Sequence, residues 1–193
     1  MGAKLVAFYP PNADRGLDTH MALIALLDPA TGRPLVTMDG GLITKMRTAA
    51  VTAVFIDAVA APDVSSLAIL GAGAQAEAHI EALRLVRAFD DIRIWNRSPE
   101  RAATLADRTG GRATSAEAAV RDADVVIATT ASSEPVLRGA WIRPDAKVAS
   151  VGWSGADGSE LDAVTMANTV IVDSRAGALV ESGNVRRWNA DIH

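Results

Sequence analysis

The sequence contains no cysteine. That excludes disulfides, thiolate nucleophiles and zinc–sulfur sites together, and it fits a reducing compartment, so a cytoplasmic location is expected. Histidine is scarce too: His20, His79 and His193 are scattered too widely to set up a ligand spacing, and no metal site is expected. Positive charge is not in excess. The 19 basic residues against 23 acidic ones leave a net charge of −4, which gives no electrostatic case for a nucleic-acid partner. No apolar run reaches the roughly 18 residues needed to cross a bilayer, and no charged-then-apolar leader opens the chain, so no membrane partner is expected. What remains is ordinary globular material, 49% hydrophobic and 22% charged, in a length suited to one generous domain or one domain and part of another. Lys4–Tyr9 begins a strand pattern with almost no lead-in, and Arg186–His193 stops without a closing helix or strand pattern. Both ends are expected to interrupt a larger structure.

Two textures divide the chain. In the first, Leu5–Phe8, Met21–Leu27 and Pro34–Met38 read as strands separated by turn-rich stretches at Pro10–Asp14 and Asp28–Gly32, the second of which is expected to join an antiparallel hairpin. A long helix follows Asp39-Gly40-Gly41, with Ile43, Met46, Ala50 and Val54 spaced for one face, and ends before Pro62. From Val64 onward, short apolar strands alternate with helices. Strands are expected at Leu67–Leu70, Ile92–Trp95, Val125–Thr129, Lys147–Val151 and Val170–Val172, with a weaker one at Arg112–Thr114. Helices are expected at Ala74–Val86, Pro99–Arg108, Ser115–Arg121 and Leu161–Ala167. Continuously apolar strands separated by helices imply a parallel sheet covered on both faces, an α/β fold.

The first of these strands runs into Gly71-Ala72-Gly73-Ala74-Gln75-Ala76, a dinucleotide fingerprint with alanine at the third glycine position. The first glycine makes the strand-to-helix turn, the second lets backbone approach phosphate, and the third position must be small for helix and strand to pack. The amino end of the helix then presents N–H groups and its dipole to a pyrophosphate. The context is the right one: an apolar strand before, an amphipathic helix after, and a second strand at the expected distance. Gly71, Gly73, Ala74 and Gln75 are therefore candidate cofactor-binding residues.

The second strand ends in Asn96-Arg97-Ser98. An NAD-selective site usually carries a carboxylate there for the ribose 2′-hydroxyl, whereas an arginine accommodates a 2′-phosphate. Asn96, Arg97 and Ser98 supply donors and no negative charge, which favours NADP(H) and leaves NAD(H) possible. Ser98-Pro99 is equally good helix-capping chemistry, so both uses remain open. Two later strand ends aim at the same crevice. They contribute Thr130 and Ala131 after one strand, Val151 and Ser154 after the next, small or hydroxylated positions suited to ribose and nicotinamide.

Together, Gly40–Ala50 with its Arg47-Thr48-Ala49-Ala50 element, the glycine turn with Gln75, and Ile94–Ser98 resemble the ornithine cyclodeaminase/mu-crystallin family. Glu134–Leu137, Glu160-Leu161-Asp162 and Val172–Arg175 extend the likeness along nearly the whole chain. The resemblance implies a homodimer with a Rossmann domain inserted into a substrate and dimerisation domain. On that reading residues 1–61 are part of an α+β substrate/dimerisation domain, 62–180 a doubly wound NAD(P)-binding Rossmann domain, and 181–193 the start of the return segment. It implies that Lys4 is the lysine at the substrate site, Arg47 the arginine that holds a substrate carboxylate, and Thr48 the residue beside the cofactor phosphates. Without the family, Lys4 and Arg47 would pass for ordinary surface charges. The implied activity is NAD(P)-dependent hydride transfer at the α-carbon of a small amino acid or cyclic imino acid. Ornithine cyclodeaminase activity is the close rival, and non-catalytic NADPH binding is a third use of the scaffold. Cyclodeaminases of the family place an aspartate where this sequence has Ser154, a departure that leans towards ketimine reduction. Family members also begin earlier and continue further, so the segments completing the substrate domain and dimer interface are expected to lie outside these residues, with nucleotide binding without turnover the expected consequence of truncation.

Overall fold

In a computed structural model, residues 1–152 and 157–193 are described. The chain forms two compact units, Met1–Thr48 and Ala49–His193.

The first unit is an antiparallel meander of β1 (Gly2–Phe8), β2 (His20–Leu27) and β3 (Pro34–Asp39), in that spatial order. The β2–β3 turn closes as its residue types demand. Asp28 Oδ1 accepts from the N–H groups of Ala30 (2.8 Å) and Thr31 (2.9 Å), and Gly32 takes φ +71°, a conformation that favours glycine. Pairing puts Lys4 opposite Ile24 and Leu23 opposite Asp39. Helix α1 (Gly41–Val59) follows. The expected row Ile43, Met46, Ala50 and Val54 does share one face, but these residues are exposed; the buried face is Ala49, Thr52, Ala53 and Ile56. A helix apolar nearly all round does not announce which face is covered.

The second unit holds β4 (Ser66–Leu70), α2 (Ala74–Leu83), β5 (Asp91–Trp95), α3 (Pro99–Thr109), β6 (Arg112–Ala113), α4 (Ala116–Val120), β7 (Val125–Ala128) and β8 (Lys147–Ser150), followed by α5 (Ala163–Met166), α6 (Arg175–Glu181) and α7 (Gly183–Trp188). The sheet is wholly parallel, in the order β6-β5-β4-β7-β8. This is the strand order of a doubly wound Rossmann-type fold, and its direction of winding reverses between β4 and β7. Alternate residues of β4 feed two cores. Leu67 and Ile69 pack with Ile56, Ile80, Leu105 and Ile127, while Ala68 and Leu70 pack with Val120, Val126, Leu137 and Met166. Strands buried on both faces, as β4 and β7 are, must be continuously apolar.

The carboxyl-terminal part departs from expectation. Val170–Val172 is no strand; Val170 makes a single parallel bridge to Ile192, because only the last few residues lie beside it. The helix expected at Leu161–Ala167 is one turn, Ala163–Met166, because Leu161 is bridged to Leu137 instead. α6 and α7 were not anticipated, and Trp188 Nε1 ties the last helix down by donating to the Leu161 carbonyl at 2.8 Å. No helix among the described residues is long and apolar enough to cross a membrane.

Candidate functional site

The glycine turn lies where β4 gives way to α2, at the switch point. Gly71 takes φ +124°, and a Cβ there would meet Thr129 Oγ1 at 2.5 Å, so glycine is required twice over. The turn is braced on both sides: the Gly71 N–H donates to the Trp95 carbonyl (2.7 Å), and the Thr129 N–H donates to the Leu70 carbonyl (2.8 Å). Gly73 differs. Its φ of −96° is open to any residue and a Cβ would meet nothing within 4 Å, so neither conformation nor packing within the chain explains the glycine. Gly73 caps α2 without any side-chain hydrogen bond, in contrast to α3, whose cap Ser98 accepts from the Arg101 N–H. The amino end of α2 thus presents N–H groups beside open space. Ala76, at the third small position, is fully buried.

A dinucleotide is the group this arrangement implies, and the residues fit it. Gln75 Oε1 is buried with no hydrogen-bond partner among the described residues, an orphaned acceptor at the edge of an uncapped helix. Gly73 leaves the cradle that a side chain would fill, and the helix end supplies what an anion needs.

His79, one turn further along α2, is fully buried. Its Nδ1 faces the Gln75 carbonyl at 2.7 Å and its Nε2 faces Thr52 Oγ1 at 3.1 Å. The carbonyl can only accept, so Nδ1 carries the proton and Nε2 accepts from the threonine. Burial pushes the imidazole pKa below its ordinary value, against the opposing pull of the Gln75 carbonyl. His79 is a neutral tie between α2 and α1, a role the sequence did not disclose.

At the end of β5, Asn96 Nδ2 donates to the Ser98 carbonyl (3.1 Å), and the Ser98 hydroxyl donates to Glu100 Oε2 (2.7 Å). Ser98 therefore works as a cap in this structure. Arg97 is exposed and makes no ion pair among the described residues. Beside them opens a cleft of about 360 Å³, lined by Trp95, Asn96, Pro99, Ala102, Thr114 and Ser115.

On the other side of the switch point, Thr130 and Val151 are half-buried and Ala131 is exposed, directly after β7 and β8. Ser154 lies outside the described residues. Sequence reasoning missed what joins these two strand ends. Glu160, 1% exposed, accepts from the Thr130 N–H (2.5 Å) and hydroxyl (2.6 Å) through Oε1, and from the Ser150 hydroxyl (2.8 Å) and Gly152 N–H (2.9 Å) through Oε2. Burial raises its pKa despite these four donors. An acid in a Gly-Ser-Glu stretch looks like surface, and only the fold shows otherwise.

The fold brings Gly71, Gly73, Ala74, Gln75, Asn96, Arg97, Ser98, Thr130, Ala131 and Val151 to the carboxyl ends of one sheet's strands. Lys4, Arg47 and Thr48 belong to the other unit. Lys4, on β1, and Arg47, on α1, are exposed; Thr48 is half-buried.

Known proteins share this arrangement. The sequence profile of the ornithine cyclodeaminase/mu-crystallin family matches residues 1–192. The chain is 42% identical to ketimine reductase mu-crystallin of Mus musculus over 193 residues, which is 98% of this chain and 62% of that protein. It superposes with a TM-score of 0.91 on Thermococcus litoralis Delta(1)-pyrroline-2-carboxylate reductase in complex with NADH and L-proline, at 36% identity, covering 95% of this chain and 59% of the other. A lysine cyclodeaminase recognising L-lysine, L-ornithine and L-2,4-diaminobutyric acid gives a TM-score of 0.91 at 27% identity, over 100% of this chain and 59% of the other. The chain thus spans about three fifths of the length of these relatives. A profile match from end to end, carried by a glycine turn at the switch point of a Rossmann-type sheet, places the chain in the ornithine cyclodeaminase/mu-crystallin family.

Proposed function

We propose that this is an NAD(P)-dependent oxidoreductase acting on a small amino acid or cyclic imino acid, in the direction of ketimine reduction. The observation that carries the reading is the uncapped amino end of α2 above Gly73, at the switch point, where a Cβ would meet only open space. Supporting it are the similarity to a ketimine reductase and to a pyrroline-2-carboxylate reductase with NADH and L-proline bound.

On this reading Gly71, Gly73, Ala74 and Gln75 hold the pyrophosphate, and the family resemblance assigns Thr48 to the cofactor phosphates. Asn96, Arg97 and Ser98 receive the adenosine ribose, with Arg97 pairing a 2′-phosphate, so that NADP(H) is preferred to NAD(H). Thr130, Ala131, Val151 and Ser154 line the nicotinamide half. The nicotinamide supplies hydride to the imine carbon when bound. Arg47 pairs with the substrate carboxylate through its planar fork, and Lys4 delivers a proton to the imine nitrogen, so the C=N bond becomes a C–N bond with one hydrogen added at each end. Residues 1–61 and the return segment beginning at 181 contribute to substrate binding and to a homodimer, while 62–180 bind the nucleotide.

The likeness to a lysine cyclodeaminase supports a second reading, ornithine or lysine cyclisation with loss of ammonia. Ser154, in place of the acid found in cyclodeaminases, weighs against it. Oxidation of NADPH with pyrroline-2-carboxylate, set against release of ammonia from L-ornithine with NAD+, separates the two. Turnover of neither, with tight NADPH binding, would leave a binding protein. Arg97→Ala is expected to weaken NADPH about ten- to a hundredfold, through loss of a charged hydrogen bond, and to leave NADH nearly unchanged. An unaltered ratio of the two affinities defeats the 2′-phosphate assignment.

A further inference from the structure

We propose that Glu160 is a positioning residue for the nicotinamide half of the coenzyme: its carboxylate ties the carboxyl ends of β7 and β8 together and sets the backbone of Thr130 and Gly152 on which that half rests. The proposal depends on the nucleotide reading above.

The geometry begins with the ladder. β7 and β8 pair in register from Val125 with Lys147 to Ala128 with Ser150, and the Val151 N–H makes a last rung to the Ala128 carbonyl at 2.9 Å. Continued two residues on, the register would put Thr130 opposite Gly152. There the carboxylate takes over from the ladder, Oε1 receiving both donors of Thr130 and Oε2 receiving the Gly152 N–H and the Ser150 hydroxyl. The fit is tight: a Cβ on Gly152 would lie 1.9 Å from the Thr130 carbonyl oxygen and 2.4 Å from Glu160 Cδ. Asn184, on α7, fixes the carboxylate from behind. Its Oδ1 accepts from the Glu160 N–H (2.9 Å) and the Ser159 hydroxyl (2.8 Å), and its Nδ2 donates to Ser150 Oγ (2.8 Å), leaving the serine proton for Glu160.

An acid is an expensive way to join two strand ends. Glu160 is buried and has no cationic partner among the described residues, and burying a carboxylate is unfavourable unless its lone pairs are all used. Apolar packing would hold the strands with less penalty. What the carboxylate adds is a fixed direction for two backbone amides and two hydroxyls at the mouth of the crevice, the kind of support that sets the aim of a ligand-contacting loop. Its donors all come from the ends of β7 and β8, whereas the glycine turn and the Asn96–Ser98 segment follow β4 and β5 and are not hydrogen-bonded to it.

That locality gives the test. Dissociation constants are measured on this chain for NADPH, which spans both halves, and for 2′,5′-ADP, which fills only the adenosine half. Glu160→Gln replaces one acceptor oxygen by a donor, so whichever way the amide turns, either the Thr130 or the Gly152 N–H loses its acceptor. NADPH binding is expected to weaken about tenfold, the effect of one unpaired buried amide, with 2′,5′-ADP unchanged within about twofold. Equal weakening of both probes, or of neither, overturns the proposal. Should Glu160→Gln not fold, Ser150→Ala and Asn184→Ala keep the carboxylate while loosening it. The same selective loss of NADPH, about threefold, supports the clamp, and a uniform loss or none overturns it. If the unaltered chain binds neither probe, the nucleotide reading itself fails and the clamp falls with it, an outcome distinct from normal parental binding with an unresponsive variant.

Discussion

The two sheets of this chain are built from similarly apolar strands and end in opposite states. In β4, Leu67, Ala68, Ile69 and Leu70 are completely buried, whereas in β1, Leu5 is 69% and Val6 56% exposed. Hydrophobicity does not separate them; connectivity does. Parallel strands must be joined by crossovers, and three of the four here carry a helix (α2, α3 and α4) that packs on the sheet, so the central strands come with their own cover. A meander of adjacent antiparallel strands, joined by the loop 9–19 and the turn 28–33, has no α-helical crossover to cover it. Burial of the parallel sheet is therefore a consequence of topology within the unit, while the antiparallel sheet depends for cover on whatever else it packs against.

The comparison can be broken most directly by large-to-small substitution. Ile69→Ala, in the doubly covered strand, is expected to lower unfolding free energy by about 3 kcal/mol. Leu5→Ala, in the open sheet, should change it by under about 0.5 kcal/mol. Urea denaturation of this chain reads both, and comparable losses would mean that the open sheet is covered after all.

The glycines sharpen it next, because they separate fold from site inside the covered sheet. Gly71→Ala puts a side chain at φ +124° against Thr129 and is expected to cost about 1–3 kcal/mol in stability. Gly73→Ala meets open space at an ordinary φ; it should leave stability unchanged or raise it by about 0.5 kcal/mol, and still weaken NADPH at least about tenfold. Stability and nucleotide affinity falling together at Gly73 would remove the case for a cradle there.

The smallest effect contrasts two aspartates in acid. Asp124 is opposed by partial burial, but the Ser66 hydroxyl, the Ser65 and Ser66 N–H groups and Arg143 prevail and hold its pKa below the ordinary 3.8. Asp28, half-buried at the β2–β3 turn, is also lowered, by the Ala30 and Thr31 N–H groups. A carboxylate with a depressed folded pKa stabilises above its unfolded value and loses that contribution as pH falls through the folded one. Both should therefore stabilise fully at neutral pH and progressively less below about pH 4. Asp124→Asn should lower the urea midpoint at pH 7, with the difference from the parent shrinking as the medium is made more acidic, and Asp28→Asn should shift it less because solvent screens that group. A pH-independent difference at Asp124 would place its contribution elsewhere.

Much of the covered sheet was legible because its requirements are local and redundant. Apolar runs, the glycine turn and the Ser98-Pro99 cap each name their element, and their alternation implies a parallel sheet; the order of its strands comes from the structure. The failures share a cause. Val170–Val172 has strand composition but meets only a short terminal segment, Ile192 and His193, among the described residues, and the exposed row of α1 has helical spacing but is not covered by the described residues; pairing and coverage are relations between distant segments, which periodicity does not record. His79 and Glu160 escaped for the same reason. Thr52 lies 27 residues from His79, and the donors to Glu160 come from Thr130, Ser150 and Gly152.

The order of residues alone determined the α/β class, the glycine turn between β4 and α2 and the donor character of Asn96-Arg97-Ser98, because these follow from backbone sterics, helix ends and charge within a few residues of each other. Tertiary structure alone decided which apolar face is covered, that Gln75 keeps a buried oxygen without a partner among the described residues, and that an unremarkable glutamate becomes the bridge between two strand ends. Those outcomes depend on desolvation and on hydrogen bonds closed across long stretches of chain, and both exist only once the sheet has formed.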